Sequence, residues 1–244
     1  MSLLCAHCDT DIFYGQNSSK HQEKQFVKHP SVGLCLHEPL QKLPFFATKP
    51  YFWKKLPLKK IGLLSDTHSF LPHAVFDFFK DCDEIWHGGD IGNIQVAEKL
   101  AAFKPLKAVY GNIDGNPVRE RYPLNLFFQV EEVKVFITHI AGYPGKYQKR
   151  IVDLFKKHPV DILVCGHSHI LKVMKDVENQ HLHINPGAAG IQGFHQYLTA
   201  IRFKIEGKRI FDLEVNNICL RNQVSEKTGI LFDGGTPFEA NAGY

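Results

Sequence analysis

The chain has 244 residues, 44% of them hydrophobic and 12% aromatic, which is enough for one substantial core. No apolar run approaches the length of a membrane-spanning helix. The +4 charge is unevenly placed: residues 1–60 hold nine lysines against four acidic residues, the remainder 20 basic against 21 acidic side chains, which argues against a broad nucleic-acid-binding face on the main domain.

The N-terminus, MSLLCAHCDTD, has acidic residues where a secretory signal needs its apolar region, and lacks a basic start, so a cytoplasmic protein is expected. Six cysteines at 5, 8, 35, 82, 165 and 219 are sparse and irregular, which suits a reducing compartment. Cys5 and Cys8 have half the spacing of a zinc site, and Cys35 and His37 could supply two more ligands. No second Cys-x-x-Cys follows, so free thiols in a loose segment are the better reading. Prolines at 30, 39, 44, 50 and 57 and the polar cluster QNSSKHQEKQ break any periodicity, and residues 1–58 read as a poorly ordered extension. Within it, the aromatic stretch Leu43–Trp53 could dock on the domain or on a partner.

From Lys60 the pattern becomes regular. KIGLLS reads as a buried strand, and Pro72 opens a helical stretch with Ala74, Val75, Phe78 and Phe79 on one face. DEIWHGGD gives a second strand, VAEKLAAF a helix and LKAVYGN a third strand. LFFQV and VKVFITH form a hairpin-like pair around Glu131-Glu132, consistent with two sheets. The helix YQKRIVDLFKK leads to the strand of DILVCGHSH. VMKDV, HLHIN, YLTAIRFKI and RIFDLEV follow as strands, and 218–244 reads as a polar tail. Helix–strand alternation followed by a run of strands predicts an α/β sandwich over 59–217.

Five successive strands end in the same chemistry: Asp66-Thr67-His68, Asp90, Asn112-Ile113-Asp114, His139, and His167-Ser168-His169, each near a glycine or small residue. Taken singly, each is as readily a turn or a satisfied core residue. In open α/β sheets, however, the carboxyl ends of the strands share one crevice, so Asp, Asn and His there can converge on metal. In extended chain, residues two apart point the same way, which makes His167 and His169 a natural chelating pair.

The order DTH, GGD, GNID, TH, GHSH, with INPGAAG at Ile184–Gly190, resembles the calcineurin-like metallophosphoesterase superfamily, and within it the branch of small bacterial and archaeal phosphodiesterases. The resemblance covers about Lys59 to Val215 and implies two packed mixed β-sheets flanked by helices. It implies one metal held by Asp66, His68 and His169, a second by Asn112, His139 and His167, and Asp90 as the bridge. Asp90, Asn112 and His139 would be the residues nearest the catalytic chemistry. Mixed oxygen and imidazole donors suit two transition metals, Mn²⁺ first, with Ni²⁺, Zn²⁺ or Fe as alternatives. The implied activity is hydrolysis of a small phosphate ester by water activated between the metals, with no Ser or Cys nucleophile.

In much of that superfamily a histidine follows the asparagine, but here the slot is Ile113, as in the small-phosphodiesterase branch. This favours diesters over monoesters or phosphoproteins. Asp114 could act as a replacement acid, although capping the turn is the better reading. His195 could approach substrate from its loop, and His87 reads as supporting structure. His181 and His183 alternate on a strand, as residues of a solvated face do. A different class of function stays open: some relatives of this fold, such as the retromer scaffolding subunit, serve in protein assembly. A homo-oligomer is also open.

Overall fold

Ile61, Gly62, Leu63 and Leu64 are all buried on β1 (Lys59–Leu64), the pattern of a strand covered on both faces. That strand stands in the middle of a five-stranded sheet. It runs parallel to β2 (Glu84–His87), which is parallel to β3 (Leu106–Ala108). On its other side it pairs antiparallel with β9 (Tyr197–Glu206), which continues through a turn at Gly207 into β10 (Arg209–Leu220). The sheet order is β10-β9-β1-β2-β3. This computed structural model describes residues 57–224. The cysteine pair Cys5/Cys8 with Cys35, the aromatic stretch Leu43–Trp53 and most of the tail lie outside the described residues.

The second sheet is ordered β4-β5-β6-β8-β7. The expected hairpin is β4 (Asn125–Val130) with β5 (Val133–Thr138), antiparallel across Glu131-Glu132. β5, β6 (Ile162–Val164) and β8 (His181–Pro186) run parallel, and β7 (Leu171–Asp176) closes the edge antiparallel to β8. Both sheets are therefore mixed.

The main core lies between the sheets, where Ile61, Leu63, Trp86 and Phe203 of the first meet Val135, Ile137, Ile162, Val164 and Ile184 of the second. Alternate residues face outward and need cover. On the first sheet, Leu64 and Ile85 pack under α1 (Ala74–Phe79) and α2 (Ile94–Phe103) through Val75, Phe79, Val96 and Leu100. On the second, Phe136 and Leu163 pack under α4 (Lys149–Lys157) through Ile151 and Phe155. The result is four layers, helices–sheet–sheet–helix, each stripe of apolar side chains buried against the next layer.

Three details differ from the sequence reading. A short helix, α3 (Asn116–Arg121), follows Asp114, with Pro117 in its first turn. β10 continues pairing with β9 to Leu220 opposite Tyr197, three residues past the expected domain end, before a 3-10 turn at Arg221–Gln223. His181 and His183 do not face solvent: both are buried, because β8 is an interior strand whose outer face is covered by Tyr147. The Tyr147 hydroxyl lies 3.0 Å from His181 Nε2 and 3.1 Å from His183 Nδ1. No helix among the described residues is long and apolar enough to cross a membrane.

Candidate metal centre

The strands that carry the predicted ligands run in the direction that brings their carboxyl ends to one edge of the sandwich. Asp66 and His68 follow β1, Asp90 follows β2, Asn112 follows β3, His139 follows β5, and His167 and His169 follow β6. Their side chains converge in two groups. Asp66, His68 and His169 form one; Asp90, His139 and His167 form the other, the potential ligand atoms of each group lying within 4.8 Å of one another. In the first, His169 Nε2 stands 3.2 Å from His68 Nε2 and 3.3 Å from Asp66 Oδ1. In the second, His139 Nε2 stands 3.2 Å from Asp90 Oδ2 and 3.2 Å from Asn112 Oδ1. His167 presents its ring edge to His139, with centroids 5.3 Å apart.

Asp90 joins the groups. Its Oδ2 is 3.2 Å from His139 Nε2 and 3.7 Å from His68 Nε2, while Oδ1 accepts from the Ile113 N–H at 3.1 Å. One oxygen thus faces both clusters and the other is tied to the backbone. Gly111 lets this happen: a Cβ there would lie 2.0 Å from Asp90 Oδ1.

The backbone is bent into the left-handed region to aim these groups. Among the described residues, nine non-glycine residues have positive φ, and five are Asp66, His68, Asp90, His167 and His169. Each costs on the order of 1 kcal/mol, and such strain gathers where a function requires it.

Electrostatics reinforce the convergence. Burial alone would raise the Asp90 pKa, but the His139 contact, the Ile113 N–H and His68 outweigh it and hold the group below its ordinary value. Burial works against charge on His139, yet Asp90 and Asp66 hold its pKa above normal. Burial lowers that of His68 despite Asp90 and Asp66. The donor set itself fits a cation: lone pairs of imidazole, carboxylate and amide oxygen point into one volume, and no Lys or Arg is among them.

Supporting contacts fix the candidate ligands. His139 Nδ1–H donates to the Gly88 carbonyl at 2.9 Å, which leaves the Nε2 lone pair directed at the site. Both Asp66 oxygens accept from the His167 N–H at 3.1 Å, linking the ends of β1 and β6. His87 is the supporting residue expected. The Thr67 hydroxyl donates to the Ile91 carbonyl at 3.0 Å, so it accepts from His87 Nε2–H at 3.0 Å, and His87 Nδ1 accepts from the Gly89 N–H at 3.1 Å. Burial pushes its pKa down to about 4, and the ring is neutral.

Asp114 clamps the loop. Oδ1 accepts from the Gly92 N–H, and Oδ2 from those of Gly111 and Ile91, so three backbone donors engage it. His195 packs its ring against His169, centroids 5.3 Å apart, and donates from Nε2 to the Gly190 carbonyl at 2.9 Å. Its Nδ1 is buried without a hydrogen-bond partner.

Two residues escaped the sequence reading. Arg119 of α3 donates to the carbonyls of Asp114, Gly111 and Asn112, holding the Asn112 turn in place. Asn185 Nδ2 donates to the Gly166 carbonyl at 2.9 Å and to Ser168 Oγ at 3.0 Å, bracing the loop that carries His167 and His169. Asn185 falls within the INPGAAG stretch that carries the resemblance, with no bracing role assigned to it; nothing in local sequence marked Arg119.

Residues 60–208 match the model of the calcineurin-like phosphoesterase superfamily domain. A probable metallophosphoesterase of Methanothermobacter thermautotrophicus is 32% identical over 133 residues, covering 52% of this chain and 76% of that protein. A phosphodiesterase of Methanocaldococcus jannaschii is 31% identical over 144 residues, covering 52% of this chain and 82% of its own. Among solved structures, an archaeal phosphodiesterase aligns with a TM-score of 0.51 and 25% identity over 64% of this chain and 99% of that one. Vps29 of Chaetomium thermophilum aligns with a TM-score of 0.56 at 16% identity, over 74% of this chain and 90% of that one, a likeness of fold alone. With the strand ends that carry the candidate ligands inside the matched segment, the chain belongs to the calcineurin-like phosphoesterase superfamily.

Proposed function

We propose that the protein is a metal-dependent phosphodiesterase that hydrolyses small phosphate esters with two divalent transition metals. Asp66, His68 and His169 would hold one ion, Asn112, His139 and His167 the other, and Asp90 would bridge them. The observation that carries this reading is Asp90 Oδ2, which lies 3.2 Å from His139 Nε2 of its own group and 3.7 Å from His68 Nε2 of the other. Imidazole-rich mixed donors favour Mn²⁺, Zn²⁺, Ni²⁺ or Fe over Mg²⁺ and Ca²⁺, and the carboxylate share puts Mn²⁺ first. Two such ions supply Lewis acidity to the phosphoryl group and to water.

The protein's own groups orient and exclude. Gly88 holds the His139 ring, Ile113 N–H holds Asp90, and Arg119 holds the Asn112 turn. Ile113 is exposed and has no titratable group, so this position offers no acid for a poor leaving group. Diesters with acidic alcohols are therefore favoured over monoesters. His195, with its proton on Nε2 and an unpaired Nδ1 acceptor, serves as a positioning residue beside His169.

The test is hydrolysis of bis-p-nitrophenyl phosphate by metal-stripped protein with Mn²⁺ added back, beside Asp90→Asn. Turnover that requires metal and falls at least about 100-fold in the variant supports the reading. Failure of the stripped protein to bind metal would sink it. A second reading, a protein-assembly scaffold, draws on exposed Ile113, Ile170 and Phe194, each adjacent in sequence to a site residue. Metal binding without turnover of any ester would favour that reading.

A further inference from the structure

A cleft of about 470 Å³ opens beside the His139–His167 side of the centre. Its walls come from the loop after β5, the loop after β6, and strands β7 and β8. Its volume is in the range of small-molecule sites. His167 is one of its lining residues, so an ester bound at the metals would have one arm beside this space.

The cleft has a definite chemistry. Among the described residues its lining includes no carboxylate, and Lys172 supplies a cation. Lys172 Nζ rests 4.6 Å from the centroid of the Tyr143 ring, and Lys146 Nζ is 6.0 Å from the same ring. Tyr143 is 43% exposed and Ile170 65% exposed, so both present apolar surface, and Lys172 lies over the tyrosine ring. Ser168 Oγ accepts from Asn185 Nδ2–H and from the Ile170 N–H, so its own proton remains as a donor. His183 on the back wall is engaged at both nitrogens, facing Tyr147 and Cys165, and reads nothing in the cleft. A flat face, a cation and a hydroxyl donor, with no acceptor charge among the described lining residues, suit an anion attached to a ring.

We propose that this cleft is the subsite for one ester arm of the substrate, and that Tyr143 and Lys172 select a planar arm bearing an anionic group, a carboxylate or a phosphate. The inference rests on the phosphodiesterase reading above and names the substrate class for that site. The ring stacks on Tyr143, and the anion draws Lys172 off the tyrosine face.

Three diesters sharing p-nitrophenolate as the leaving group test it: those whose second arm is methyl, phenyl or 3-carboxyphenyl. The Mn²⁺-loaded full chain should prefer 3-carboxyphenyl over phenyl by about tenfold in kcat/KM, carried mainly by KM, the scale of one charge-assisted contact. Lys172→Met should bring that ratio near one, and Tyr143→Ala should erase the preference for phenyl over methyl. Both side chains are partly exposed, and circular dichroism checks that the variants fold. Calorimetric binding of 3-carboxyphenyl phosphate against phenyl phosphate separates this subsite from the catalytic reading. If no diester is hydrolysed but the carboxylate still tightens binding about tenfold through Lys172, the subsite stands and the diesterase reading falls. Equal rates and equal binding for both arms, or a preference that survives Lys172→Met, overturn the subsite.

Discussion

The hydrogen-bond chain through Thr67 offers a quantitative test of how the centre is braced. Thr67 and His87 are fully buried, and Thr67→Val keeps the volume while deleting the hydroxyl. His87 Nε2–H then loses its acceptor, and it cannot turn away without abandoning the bond that Nδ1 accepts from Gly89. A buried N–H left unpaired costs about 1–3 kcal/mol. The Ile91 carbonyl fares better: it loses the Thr67 bond but keeps the one from the Ser69 N–H at 2.9 Å, a loss of about 1 kcal/mol. The sum, about 3 kcal/mol, corresponds to a fall of about 6–12 °C in Tm for a domain of this size. The assay is thermal unfolding followed by circular dichroism, on metal-stripped protein in chelator, since bound metal would raise Tm by mass action. Thr67→Ser, which retains the hydroxyl, should lose about 1 kcal/mol for its methyl group. A Tm for Thr67→Val within 2 °C of wild type would show that the hydroxyl does not serve both partners, and the account of His87 as a neutral strap would fail.

Acid should loosen the fold before it reaches the usual carboxylate range. Burial first of all lowers the pKa of His87 and His183 to about 4, below the ordinary 6.5, so the unfolded chain takes up protons first; stability is full above about pH 6.5 and is lost as pH falls toward 4, at about 1.4 kcal/mol per histidine per pH unit. Urea unfolding of metal-free protein at pH 7.5 and 5.5 should differ by about 3 kcal/mol, and equal midpoints would contradict the two assignments. Arg119→Ala frees three carbonyls around the Asn112 turn and should weaken binding of one metal by about tenfold while sparing the other, as read by chelator competition. Gly193 has φ +118°, and a Cβ there would lie 2.2 Å from His169 Nδ1, so Gly193→Ala should displace that ligand and cost at least about tenfold in affinity for the Asp66–His68–His169 ion; unchanged titration would refute the packing.

The strands and the ligand-bearing turns were legible because each couples a buried apolar run to a polar residue at a fixed end. Ile61–Leu64 before Asp66 and Ile162–Val164 before His167 are local patterns, and the shared strand direction does the rest. What was not legible depends on neighbours. Whether alternating His181 and His183 meet water is decided by Tyr147, 34 and 36 residues away, and by the place of β8 between β6 and β7. Arg119 contributes through backbone carbonyls, which have no sequence signature, and its helix is only six residues long. The clamp made by Asp114 reaches the N–H groups of Ile91 and Gly92, 23 and 22 residues away, which no local pattern announces.

The left-handed backbone at the centre also decides which substitutions are informative. Asp66, His68, Asp90, His167 and His169 occupy a region that Asp, Asn and His enter more readily than other side chains. Alanine at Asp90 would remove the carboxylate and add strain on the order of 1 kcal/mol, mixing a loss of ligand with a loss of local stability. Asparagine keeps the backbone preference, the shape and the acceptor for Ile113 N–H, and changes only the charge and one of two oxygens. Asp90→Asn should therefore unfold close to the metal-free wild type in chelator, and differ from it sharply once Mn²⁺ is added. If Asp90 Oδ2 serves both groups, both binding events weaken together; if only one weakens, the bridge assignment is wrong and Asp90 belongs to a single ion.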